Sequence, residues 1–242
     1  PLPSDPTAVR NYQETYSYDE IGNITSLAHA AGAASWTRAY IYAAGTNRLL
    51  TTTAPGGPVS YSHDAHGNML AMPHLALIEW DPFDMMSHAS LGGGGNSHYQ
   101  YDAGGARVRK VIDTGANLVK ERIYLGGYEI YREIVSGAVP LERQTLHVLD
   151  GVKRLAMVET KTVDAGVPVG VPVPKQRYQL GNHLGSAMLE LDETGLIVSY
   201  EEYHPYGSSA YRSARSGVEV SARRYRYVGM ERDDETGLYL MG

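Results

Sequence analysis

Apolar and polar residues alternate over strand-length runs in this chain, most cleanly from Val119 to Glu133 and from Leu141 to Leu149. A period of two marks a half-buried β-strand. Two copies of Asp-Glu-Thr-Gly-Leu, at Asp192 to Leu196 and Asp234 to Leu238, sit between such runs and read as hairpin turns with Gly in the left-handed position. The stretch from Ala165 to Pro174 is rich in Val, Gly and Pro. It reads as a loop or edge segment, because Pro cannot donate to a ladder. The pattern predicts an almost entirely antiparallel, all-β chain with little helix.

One phrase recurs. Tyr16-Ser17-Tyr18-Asp19-Glu20-Ile21-Gly22-Asn23 aligns with Tyr61-Ser62-His63-Asp64-Ala65-His66-Gly67-Asn68, and a third copy runs Tyr99-Gln100-Tyr101-Asp102-Ala103-Gly104-Gly105. Degenerate halves stand at Tyr40-Ile41-Tyr42, leading to Asn47-Arg48-Leu49, and at Trp80-Asp81-Pro82-Phe83-Asp84. Tyr-x-Tyr puts two aromatics on one strand face, Asp opens a turn through its side-chain oxygen, and Gly-Asn adopts the left-handed conformations that reverse the chain. Each copy is strand, turn, strand. Stacked copies are expected to set Tyr beside Tyr on neighbouring strands, each aromatic pair contributing about 0.2–1 kcal/mol. The uneven spacing favours hairpins of variable length over a solenoid of fixed period.

Composition agrees with this. Among 242 residues there are 19 Tyr against one Phe and two Trp, with 27 Gly and 12 Pro, a mixture suited to strands joined by tight turns. With 43% hydrophobic residues the chain has enough apolar surface to bury a core as one large β domain or two ordinary ones. A net charge of -6 gives no footprint for nucleic acid. The basic cluster Arg223, Arg224 and Arg226 alternates with Tyr225 and Tyr227 and precedes Glu231, Asp233 and Asp234; it reads as strand charge. Cysteine is absent, which removes disulfides and thiolate metal sites from consideration. No apolar run approaches the roughly 20 residues of a spanning helix, and Pro1-Leu2-Pro3-Ser4-Asp5-Pro6 lacks the regions of a signal peptide. The missing initiator Met and the ending at Leu240-Met241-Gly242 suggest a fragment.

The copies of Tyr-x-Tyr-Asp-x-x-Gly-Asn resemble YD repeats. The later chain resembles the Rhs-associated core through Asn182-His183-Leu184-Gly185-Ser186, then Tyr203-His204-Pro205-Tyr206-Gly207, then Arg224-Tyr225 to Tyr239 with Gly229, Glu231, Asp233, Thr236 and Gly237 in the family's order. By this resemblance the chain is a YD-repeat β-strip over 1–113, continuing β-hairpins over 114–175 with a loop near 165–174, and Rhs-associated core over 176–242. The resemblance implies antiparallel strand-turn-strand repeats that form part of a spiralling hollow β-sheet shell enclosing the polypeptide's own C-terminal toxin. Such proteins include Rhs effectors of type VI secretion systems, the C component of Tc toxins and, more distantly, teneurins. The partners implied are the remainder of the same shell, that toxin, and a secretion system or a Tc toxin B-type subunit, and the location implied is secreted or delivered into a target cell from a bacterium. The family's aspartyl autoprotease motif lies past Gly242, so no residue here is expected to be catalytic.

Other chemistry is weaker. His63-Asp64-Ala65-His66 lacks a third metal ligand, and its Asp already has a turn role. Gly92 to Gly95 has no Gly-Lys-Ser/Thr ending and fails as a phosphate loop. Glu201-Glu202 and Asp233-Asp234-Glu235 could supply an acid/base pair, but neighbours on a strand point to opposite faces, and they read as solvent-exposed edge and turn charge. Asn182, His183 and Ser186 lack a nucleophile elbow and read as a structural turn. Asn23-Ile24-Thr25 is formally a glycosylation sequon, on a repeat turn. The Asp-Pro pairs Asp5-Pro6 and Asp81-Pro82 read as turns. No cofactor, metal or catalytic residue is assigned. The expected role is passive containment; a tyrosine-rich adhesin or carbohydrate or protein recognition module is the alternative.

Overall fold

A computed structural model describes residues 11–54, 56–215 and 223–241; the Asp5-Pro6 pair lies outside them. The strands are β1 (Gln13–Tyr18), β2 (Ile24–Ala30), β3 (Trp36–Tyr42), β4 (Leu49–Ala54), β5 (Gly57–Ser60), β6 (Leu77–Trp80), β7 (Met86–Ser90), β8 (Asn96–Tyr101), β9 (Arg107–Asp113), β10 (Leu118–Leu125), β11 (Tyr128–Val135), β12 (Ala138–Asp150), β13 (Lys153–Asp164), β14 (Val167–Pro168), β15 (Lys175–Gly181), β16 (Ala187–Asp192), β17 (Ile197–Tyr203) and β18 (Ser209–Ala214). Helix among the described residues is confined to two three-residue 3-10 turns. The residues divide at Met86/Ser87 into two compact units.

In the first unit β1 to β5 pair antiparallel in chain order. In the second, β7 to β13 and then β15 to β18 form one antiparallel sheet, again in chain order, while the short β14 pairs β13 at the edge, as the Pro-rich segment predicts.

One turn recurs through both units. The N–H of its first residue bonds the carbonyl of the fifth, and the N–H of the fourth bonds the carbonyl of the first. This pattern starts at Asp19, Asp64, Asp81, Asp102, Asn182, Asp192, His204 and Arg226. The fourth residue is left-handed in each: Gly22, Gly67, Asp84, Gly105, Gly185, Gly195, Gly207 and Gly229. This is a type I turn closed by a G1 bulge. Where the first residue is Asp or Asn its side chain locks the turn: Asp102 Oδ1 accepts from Gly104 and Ala106 N–H at 2.8 and 3.0 Å, and Asn182 Oδ1 accepts from Leu184 and Ser186 at 3.0 Å each. The repeat phrase and the core phrases Asn-His-Leu-Gly-Ser and His-Pro-Tyr-Gly are therefore one device.

Three expectations need correction. Tyr does not ladder with Tyr: Tyr16 faces Leu27, Tyr18 faces Ile24 and Tyr99 faces Lys110. An antiparallel hairpin pairs each Tyr-x-Tyr strand with the strand after its own turn, which carries aliphatic and basic residues. Secondly, Glu201, Asp233, Arg223 and Arg226 are not solvent-exposed charge but buried, at 0%, 1%, 4% and 2% exposure. Finally, the segment from Arg223 to Tyr239 is not a sheet strand. Only isolated bridges, Tyr225 to Glu231 and Arg232 to Tyr239, and one 3-10 turn organise it, and we term it the strap.

Candidate functional site

The strap lies on one face of the second unit's sheet, and that face is polar. Arg107, Lys110, Arg122, Glu129, Thr145, His147, Glu159, Arg177, Gln179, Glu190, Ser199 and Glu201 are all buried there. The opposite face leaves Leu146, Val148, Tyr178 and Leu180 between 41% and 48% exposed. An ionic layer buried beneath the strap is tolerable only if each charge is paired and hydrogen-bonded.

Three seats supply that pairing. At the first, Glu201 of β17 accepts from Arg223 Nη2 at 2.8 Å and Arg226 Nε at 3.0 Å, with a further bond from Ser209 Oγ at 2.5 Å. At the second, Glu129 of β11 accepts from Arg122 at 2.9 Å, His147 Nε2 at 2.8 Å and Tyr225 OH at 2.6 Å, and pairs with Arg224. Arg154 Nε donates to His147 Nδ1 at 3.0 Å. With Nδ1 accepting and Nε2 donating, the imidazole is the neutral Nε2–H tautomer. At the third, Asp233 takes a bidentate pair from Arg107 at 2.7 and 2.8 Å and a bond from Lys110 at 2.7 Å, while Tyr99 OH donates to Glu235 at 3.0 Å. Arg107 also lies 4.6 Å over the Tyr99 ring. Glu231 bridges the second and third seats through Arg224 and, at 3.8 Å, Arg107, and accepts from Tyr124 OH at 3.0 Å.

The strap ties distant strands together. Arg224 and Arg226 are two residues apart, yet they reach β11 and β17, which are five strand spacings apart. About 7 Å of strap and the extended Arg and Glu side chains at its two ends span the roughly 24 Å between those strands.

The pairing sets the charge states. Burial alone would raise the Glu201 carboxyl, but hydrogen bonds from Arg226, Ser209 and Arg223 hold it at about 2. Burial acts in the same direction on Glu129, where Arg224, His147 and Arg122 overcome it and keep the group well below the carboxylate range. Asp233 is lowered likewise, against burial, by Lys110 and Arg107. Tyr225 and Tyr99 are raised by burial and by neighbouring carboxylates. All three seats hold ion pairs at neutral pH.

The structure places the core-phrase residues around this strap. Ser186 Oγ accepts from Val228 N–H at 3.0 Å, Ala187 N–H donates to Arg226 O at 2.8 Å, and Tyr203 OH donates to Ala187 O at 2.8 Å. Tyr227 OH donates to Pro205 O, and Tyr239 OH donates to Gly207 O at 3.1 Å. Thr236 is fully buried, and Gly237 N–H closes the turn on Asp233 O at 2.7 Å. His183, Leu184 and Tyr206 are exposed. Of the repeat residues, Tyr99 and Tyr101 join the third seat through Arg107, while Asp102 and Gly105 form its hairpin. Tyr16, Tyr18, Asp19, Gly22, Asn23, Tyr61, Asp64, Gly67 and Asn68 belong to the first unit, where Asn23 and Asn68 side chains bond back to Asp19 and Asp64 at 2.9 and 3.0 Å. His66 binds Asp84 at 2.8 Å; among the described residues no cluster of three or more His, Asp or Glu is set to hold a metal. Glu129, Arg122, His147, Arg107 and Lys110 went unsingled in the sequence, because each sits in an ordinary alternating strand.

No family model matches the chain. It is 31% identical to toxin subunit YenC2 of Yersinia entomophaga over all of its length and 34% identical to YenC1 of the same organism over 99%, spanning 26% of each relative. Its fold superposes on the crystal structure of TcdB2-TccC3 with a TM-score of 0.79 and 28% identity, covering 95% of this chain and 12% of that one. The Photorhabdus luminescens Tc holotoxin pore shares the fold, with a TM-score of 0.64 at 22% identity over 97% of this chain and 15% of that one. No helix among the described residues is long and apolar enough to cross a membrane. The adhesin alternative is not favoured by these likenesses. With the repeat phrases shared between the two units and the core phrases set around the strap, the chain is a shell segment of the Rhs and Tc toxin type, similar over its whole length to the Tc toxin subunits.

Proposed function

We propose that this segment is wall and clasp of a hollow shell that holds the C-terminal toxin of its parent protein until delivery, with the remainder of that shell and a Tc B-type subunit or a secretion system as partners. The observation that carries the reading is a polar sheet face buried under its own strap by paired charges, in a chain related along its whole length to Tc toxin subunits. The strap's residues are spent on pairing, which suits a scaffold. Catalysis in the parent belongs, on this reading, to residues past Gly242. The sequence divisions 1–113, 114–175 and 176–242 would then be strip, continuing hairpins and clasp. Mass determination of the purified full-length gene product is the test. Separate shell and toxin fragments that travel together are expected; one uncut species with no protected C-terminal portion overturns the reading.

A further inference from the structure

A cleft of ≈ 420 Å³ opens where the strap meets the sheet, lined by Val152, Lys153 and Arg154 at the β12–β13 turn, by Asn182, His183 and Leu184, and by Tyr225 and Val228 of the strap. The lining contains Arg154, Lys153 and His183 but no Asp or Glu. Arg154 is the notable one. Its guanidinium lies 3.3 Å over the Tyr225 ring and its Nε is spent on neutral His147, and among the described residues it is in no ion pair. Burial lowers the pKa of Arg154 by more than Tyr225, Glu129 and Glu231 nearby raise it, whereas burial is overcome at Arg224 and Arg107, which bond their carboxylates directly. A half-buried guanidinium stacked on an aromatic, with its terminal N–H groups unpaired, is pre-set for a carboxylate. Apolar rims flank it: Val152 is fully exposed and Leu184 is 55% exposed.

We propose that this cleft seats an acidic side chain, flanked by apolar residues, of a peptide segment supplied by the parent chain outside residues 1–242. The apolar rims on either side of the cation fit an extended peptide better than a free anion, and relatives some four times longer supply ample chain to reach it. Because Tyr225 and Val228 complete the lining, the cleft exists only when the strap is docked, so its occupant reports a closed clasp. The inference rests on the shell reading above.

The test places a benzophenone-bearing amino acid at Val152 in the full-length gene product and maps the photo-crosslinks by mass spectrometry. The expected partner is one Asp- or Glu-containing peptide from outside residues 1–242, with a yield at least tenfold lower in Arg154→Gln and recovered in Arg154→Lys. Lys153→Glu, a change on the exposed rim, guards against a folding defect and should also lower the yield. Crosslinks confined to residues 1–242, to an unrelated protein, or unchanged by both charge variants overturn the inference. If shell and toxin fragments still travel together in that case, the cleft proposal alone fails; if they do not, the shell reading fails with it.

Discussion

Replacing Glu201 with Ala strips the counter-charge from two buried guanidiniums at once. Arg223 and Arg226 are 4% and 2% exposed, and Glu201 is the carboxylate that both bond. Breaking a buried pair by removing one partner costs about 3–5 kcal/mol, because the charge left behind is uncompensated. The seat holds the strap, so the loss falls on strap opening before global unfolding. At about 1.4 kcal/mol per tenfold, amide exchange of residues 223–231 should speed up by roughly 150- to 4,000-fold in the full-length protein. The amides of β10 to β12 should change far less. A matched control replaces Glu201 with Leu and both Arg with Met; apolar substitution of a whole ionic cluster is often neutral or stabilising, so strap protection should return. Acceleration of less than about tenfold in Glu201→Ala, or equal loss in the triple replacement, would refute the view that pairing at this seat holds the strap.

The remaining predictions concern acid, turns and strain. Glu201, at about 2 when folded against an ordinary value of 4.5, and Glu129, lower still than ordinary, are depressed carboxylates. Their contribution is fully present above the unfolded value and is lost as pH falls through the folded one, so the strap's opening equilibrium, read as exchange divided by the intrinsic rate at each pH, should be flat from pH 7 to about 5 and rise steadily toward pH 2. Gly207→Ala puts a Cβ 2.7 Å from the Tyr227 ring at a φ of +86° and should cost on the order of 1–3 kcal/mol more than Gly22→Ala, whose Cβ meets open space, measured as the difference in denaturant midpoints. Asp102→Ala removes the acceptor for two turn N–H groups and should destabilise by about 1 kcal/mol without altering strap exchange rates at the first seat. Ala165→Gly relieves a left-handed alanine at φ +49° and should be neutral to about 1 kcal/mol stabilising in thermal unfolding.

The strands and their turns were readable because both signals are local: period-two alternation, and an Asp or Asn three residues before a Gly. The pairing order followed, since every long hairpin closes on its neighbour. The ionic seats were not readable. Alternation says that Glu201 and Glu202 point to opposite faces, but it does not say which face is covered, and the usual assumption that the polar face meets water is inverted here by the strap. Glu201 is buried, while Glu202 is exposed and occupied with Tyr200. Arg223, Arg224 and Arg226 carry a faint signal, since three Arg interleaved with Tyr are more than a strand edge requires. Their partners on the sheet lie 22 to 95 residues away, a separation no window on the sequence spans.

The recurring bulged turn also shapes how this chain reaches its fold. The hairpins that use it close over five residues and most of the others over comparably short loops, so the sheet can lengthen strand by strand as the polypeptide emerges, each addition costing only a short loop. The strap breaks that economy: Tyr99 must wait for Glu235, 136 residues later. Until then Arg107, Lys110, Glu129 and Glu201 face water, which solvates them readily. The nascent sheet is therefore comfortable while open, and closure becomes a single late event in which one short cationic and acidic segment dries an entire polar face.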